Sequence, residues 1–82
     1  MAAVSNPENI TVVDARRLLC PMPVIRVQNA VKKLLPGSRV EAICTDPGAM
    51  SDIPAWARIN GHKIIETISR NDEYIIILEV SE

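Results

Sequence analysis

The segment CPMPVIRVQNAVKKLLPG, Cys20 to Gly37, reads as a helix with its own start and stop. Val24, Val27, Val31, Leu34 and Leu35 fall on one stripe at a period of 3.6, and Met22, Arg26, Asn29 and Lys33 on the opposite stripe. Pro21 suits the first helical position, Pro23 still fits the first turn, and Pro36-Gly37 ends the pattern. Upstream, ITVVDA (Ile10 to Ala15) is a short β-type run, joined to the helix by Arg16 to Leu19. Downstream, Arg39 to Thr45 predicts a strand with Val40, Ala42 and Cys44 on one face. Asp46-Pro47-Gly48 is a turn signal. Ser51, Asp52 and Pro54 mark the start of a second, short helix that stops near Asn60-Gly61. His62 to Ser69 and Glu73 to Val80 are two more strands, with Ser69 to Asp72 as a hairpin loop. The order is β-α-β-α-β-β. Both helices must bury their apolar stripes on the sheet, which predicts a two-layer α/β sandwich. The sheet is expected to be four-stranded and mixed, with the two helices on one face. Residues 10–82 then form a single domain behind a flexible tail, residues 1–9.

Composition narrows the function classes. A chain of 82 residues is too short for a cleft between two domains. Its net charge of −1 carries no global basic field toward nucleic acid. Trp56 and Tyr74 are its only aromatics, too few for a base-stacking platform. Ile and Val number 19 against 5 Leu and no Phe, a bias that suits pleated surfaces. The longest aliphatic run, Ile75 to Leu78, is far short of a membrane span. The first ten residues carry no signal-peptide pattern, so a cytoplasmic address is expected. Two cysteines and one histidine are too few for a closed zinc site, so no metal is expected. With no CxxC, the cysteines are read as thiols.

The chemistry points to Cys20. It stands immediately before a helix whose first turn lacks two amide donors, at Pro21 and Pro23, and keeps those of Met22 and Val24. A sulfur at that cap can accept a hydrogen bond, and the helix dipole favours the thiolate. Cysteines in such places have lowered pKa values and are nucleophiles at neutral pH. Arg16, Arg17 and Arg26 are near in sequence and push the same way. The competing reading is an ordinary buried cysteine. Cys44, mid-strand and in phase with Val40 and Ala42, is read as a small core hydrophobe.

Other candidates have bland alternatives beside them. His62 reads as an edge or loop residue, or as the distant half of a Cys-His dyad. Asp46 and Asp52 read as turn residue and helix cap, or as a carboxylate pair for a metal or for acid–base work. Met22 and Arg26, with Lys32 and Lys33, form the wet face of the first helix or an acidic-partner docking patch beside Cys20. Ile75 and Ile77, with Ile43, are expected to face away from the helices, as a dimer patch or a plain open sheet face.

VDARRLLCPMPVIRV, Val13 to Val27, strongly resembles the signature of the TusA/SirA-like sulfur-carrier family, and CTDPGAMSDIPAWARINGHKI, Cys44 to Ile64, resembles that family's second half. The resemblance runs from about Ile10 to Val80. It implies a two-layer sandwich whose motif cysteine accepts a sulfane sulfur and hands it to a partner protein. Cys20 would carry the persulfide, and Pro21 and Pro23 would shape its helix cap. Asp46, in the DP turn, matches a recurrent family position and would lie at the partner face; the residues themselves add Met22 and Arg26 from the exposed helix face and Arg17 for its charge near the sulfur. The donor would be a cysteine desulfurase or a rhodanese and the acceptor another sulfurtransferase. The route would lead toward tRNA 2-thiouridine or other sulfur metabolism. No organic cofactor, direct nucleic-acid contact or membrane is implied, and a monomer or weak dimer is expected. The family usually has Gly where this chain has Arg17, so Arg17 must take an ordinary conformation or bear strain. The alternative from a different class is a thiol redox switch, in which oxidation of Cys20 alters a contact through Met22 and Arg26.

Overall fold

The computed structural model describes residues 10–81; the tail predicted over residues 1–9 lies outside them. The elements are β1 (Ile10–Ala15), α1 (Met22–Val31), β2 (Arg39–Cys44), α2 (Ala49–Ile59), β3 (Lys63–Arg70) and β4 (Glu73–Glu79). They form one four-stranded sheet in the order β1-β2-β4-β3. β1 and β2 are parallel, joined through α1, and β4 runs antiparallel to both β2 and β3. α1 packs over β1 and β2, and α2 over β3 and β4. The mixed sheet and two-layer architecture expected from the sequence are therefore present.

Alternation places the core. Val13 and Ala15 of β1, Val40, Ala42 and Cys44 of β2, and Ile76 and Leu78 of β4 point toward the helices and are buried. Pro23, Val27 and Val31 of α1 and Ala49, Ile53 and Ala57 of α2 meet them. Cys44 is a core residue, as its phase predicts. The β3–β4 hairpin turns through Asn71 and Asp72, both at positive φ (51° and 63°), with Arg70 paired to Glu73. Two central residues of that kind match the right-handed twist of the strands.

Three local expectations change. α1 ends at Val31, where Lys33 and Leu34 bond back to Ala30 and Val31 in tighter turns. The stripe is lost there, and Leu35, expected in the core, is 78% exposed. α2 begins at Ala49 rather than at Ser51-Asp52. The Asp46 carboxylate accepts the Gly48 amide, and the Asp46 and Pro47 carbonyls accept those of Ala49 and Met50, so the DPG turn itself winds into the helix. Pro54, placed in the first turn by the sequence, lies inside the helix. Finally, Ile75 is on the helix-free face but is only 8% exposed, between its cross-strand neighbours Ile43 and Ile68. The outward apolar patch is thus smaller than expected, with the charged Glu41 opposite Ile77.

Candidate functional site

β1 and β2 are parallel, so their carboxyl ends share one edge of the sheet, and the connections into α1 and α2 both start there. That topology brings Cys20, in the first connection, against Asp46 and Asp52, in the second connection and the first turn of α2. The Cys20 amide donates to Asp46 Oδ2 at 3.1 Å, and Cys20 Sγ lies 2.9 Å from Asp52 Oδ2. Asp46 thus serves both loops, since its other oxygen accepts from Gly48. Cys20 itself is exposed. Pro23 is fully buried and anchors the start of α1. Leu19, Met22 and Ile25, three residues apart, are all exposed, Leu19 at 75%.

The helix-cap arrangement expected for Cys20 is not formed. Pro21 is itself the N-cap, after a cis Cys20–Pro21 bond, and no side chain caps α1. The Met22 amide expected to serve the sulfur donates instead to the Leu19 carbonyl at 2.8 Å. The thiol pKa is raised, not lowered. The hydrogen bond to Asp52 is the largest cause, followed by partial desolvation and then by the charges of Asp52 and Asp46. The expected cationic help is engaged elsewhere. Arg16 pairs with Asp14 at 2.9 Å and reaches Glu73 at 3.5 Å, and it holds the Asp14 carboxyl down at about 2. Arg26 donates to the Asp14 carbonyl and so turns toward β1 rather than toward the sulfur.

Arg17 takes the strained alternative, with φ at 66°. Its amide donates to Thr45 Oγ1 at 2.8 Å and ties the two connections together. With Asp14, Arg16, Thr45 and the hairpin tip it lines an open groove of about 520 Å³. A left-handed conformation costs a residue with a Cβ about 1–2 kcal/mol, part of which glycine gives back through its unfolded-state entropy. Arg17→Gly is therefore expected to stabilise the domain by about 1 kcal/mol, a rise of roughly 4–8 °C in Tm for a chain of this size. An unchanged or lower Tm in a thermal melt would show that this backbone bears no strain.

His62 is remote from this end in contacts and role: its Nδ1 accepts the Ser81 amide at 3.0 Å and its ring lies 5.1 Å from that of Trp56. No Cys-His dyad is formed. Asp52, a helix cap or half of a carboxylate pair by sequence, is instead the partner of Cys20, a pairing the sequence does not signal locally. Its only local signature is that of a helix cap, and its partner is 32 positions away. The β-α-β-α order, which puts both helix starts at one sheet edge, was the available signal.

The sulfurtransferase TusA family profile matches residues 11–80. The chain belongs to the TusA family. The Bacillus subtilis protein YrkI is 39% identical over 61 residues, 74% of this chain and 81% of that one. The sulfur carrier protein TusA of Pseudomonas aeruginosa is 36% identical over 64 residues, 78% of this chain and 81% of its own length. The crystal structure of a SirA-like protein from Desulfitobacterium hafniense superposes with a TM-score of 0.77 at 24% identity, covering 89% of this chain and 99% of that one. That likeness is one of fold: the TusA-family sandwich is shared. Among the described residues, no helix is long and apolar enough to cross a membrane.

Proposed function

We propose that this TusA-family chain is a sulfur carrier that holds a sulfane sulfur as a persulfide on Cys20 and passes it to a partner protein. The observation that supports this most is the presentation of the thiol. Cys20 is exposed, yet its connection is fixed by Asp46 on one side and by the buried Pro23 on the other. The other cysteine, Cys44, is sealed in the core. In loading, the Cys20 proton leaves to a carboxylate or to water. Sγ then attacks the outer sulfur of a donor persulfide, an Sγ–S bond forms, and the donor S–S bond breaks. The donor cysteine departs as a thiolate with the electron pair, so no outside oxidant is needed. Handing on repeats the exchange, with an acceptor thiolate attacking the outer sulfur and Cys20 as leaving group.

Pro21 and Pro23 stiffen the connection, and Leu19 and Met22 beside the sulfur offer an adaptable contact. Arg17 and Asp46 border the same end and belong to the partner face in this reading, whereas Arg26 sits further toward β1. The donor is a cysteine desulfurase or a rhodanese and the acceptor a sulfurtransferase leading toward a thiolated tRNA or another sulfur product. Such persulfide relays belong in a reducing compartment, the cytoplasm. The test is a transfer with radiolabelled sulfur from cysteine through a desulfurase. Label should appear on this chain in a non-reducing gel, move to an acceptor sulfurtransferase, and be released by dithiothreitol. Failure to label from either a desulfurase or a rhodanese, together with rapid trapping of a sulfenic acid at Cys20 by peroxide and dimedone, would favour the redox switch instead.

A further inference from the structure

We propose that Asp52 is a positioning residue that keeps the unloaded carrier at rest, holding Cys20 as a thiol turned toward the start of α2 until that contact is broken. The proposal takes its purpose from the sulfur-carrier reading but its geometry from the fold. At 2.9 Å, Sγ and Asp52 Oδ2 are at hydrogen-bonding distance, and a proton must lie between them. A thiolate there would face a like charge at contact. Asp46, bonded to the Cys20 amide, places a second carboxylate on the same side. The cations of the neighbouring elements do not offset them. Among the described residues neither Asp46 nor Asp52 is ion-paired: Arg16 pairs with Asp14 and Glu73, and Arg26 reaches the Asp14 carbonyl. The raised thiol pKa follows from the same arrangement.

The consequence separates the two states of the carrier. The free thiol can donate to Asp52. A persulfide is more acidic than a thiol, and once ionised its outer sulfur has no proton to give. The loaded form therefore cannot keep the contact, and its outer sulfur is repelled from both carboxylates toward the open side at Leu19 and Met22. A donor must break the Asp52 contact to load the carrier, whereas an acceptor meets a sulfur already turned out.

The experiment is the pH dependence of iodoacetamide alkylation at Cys20 in the full unloaded chain, read by peptide mass. Wild type, Asp52→Asn, Asp52→Ala and Asp52→Glu are compared. In the Asn and Ala variants the midpoint should fall, with the rate at neutral pH rising about tenfold for each pH unit the midpoint moves. The rate at high pH should be unchanged, and Glu should restore part of the wild-type midpoint. Label on Cys44 in the same spectra reports unfolding, so a variant that fails to fold is recognised at once. An unmoved or higher midpoint in folded Asn and Ala variants overturns the proposal. Sulfur uptake measured on the same proteins separates the two ideas. Uptake by wild type with an unmoved midpoint sinks the Asp52 role alone; a lowered midpoint with no uptake by any variant sinks the carrier reading alone.

Discussion

Ile53→Ala is expected to destabilise the domain by about 2–5 kcal/mol, the range for removing a large buried aliphatic side chain. Ile53 is fully buried on the inner face of α2, where that helix lies on β3 and β4. A chain of this length has roughly 4–12 kcal/mol of stability in total, at about 0.05–0.15 kcal/mol per residue. The substitution therefore removes a large share of it and can leave the domain partly unfolded. The comparator is Ile53→Val, which keeps the branched stem and should cost about 0.5–1.5 kcal/mol. Urea denaturation of the three proteins checks this through the midpoint. An alanine variant as stable as the valine one would mean that α2 settles onto the sheet and closes the cavity. The effect also reaches the site, because Ile53 anchors the turn of α2 that carries Asp52.

Cys20→Ala should abolish sulfur uptake from a donor persulfide, and Cys44→Ala should leave it intact. The two cysteines differ in access, the property that a sulfur acceptor needs first. Cys20 is exposed beside two carboxylates at the sheet edge, whereas Cys44 is in the core of β2. Burial first, and the Asp46 charge second, push the Cys44 thiol up to about 11. Its proton is therefore held more tightly in the folded chain than in the unfolded one. The sign for stability follows: that contribution is full below the unfolded thiol pKa near 9 and is lost as pH rises through about 11. Uptake is read by the peptide that gains the sulfur. Sulfur on the Cys44 peptide of native protein would contradict the assignment.

Local patterns carried most of the fold. The α1 stripe through Val31, the alternation of Val40, Ala42 and Cys44, and the hairpin before Glu73 all depend on neighbours in sequence. The start of α2 was harder because two N-terminal signals compete, the Asp46 turn and the Ser51-Asp52 pair. The turn wins because Asp46 makes a bond to Gly48 and another to Cys20. The thiol pKa of Cys20 departs from its sequence expectation for a related reason. The helix dipole and three arginines lie nearby in sequence, but the carboxylate that meets the sulfur, Asp52, comes from across the fold. Arg17 lies between these cases. The resemblance to a family with glycine at that position flagged a backbone choice, and φ at 66° answers it. The presence of the motif cysteine was legible from the sequence; its partner Asp52 was not.

The measurement that bears most directly on the carrier reading is the intact mass of the full chain under non-reducing conditions, after incubation with an active cysteine desulfurase and cysteine. A carrier gains the mass of one sulfur atom, loses it on addition of dithiothreitol, and shows no gain as Cys20→Ala. No gain from the desulfurase, and none from a rhodanese with thiosulfate, would contradict that reading.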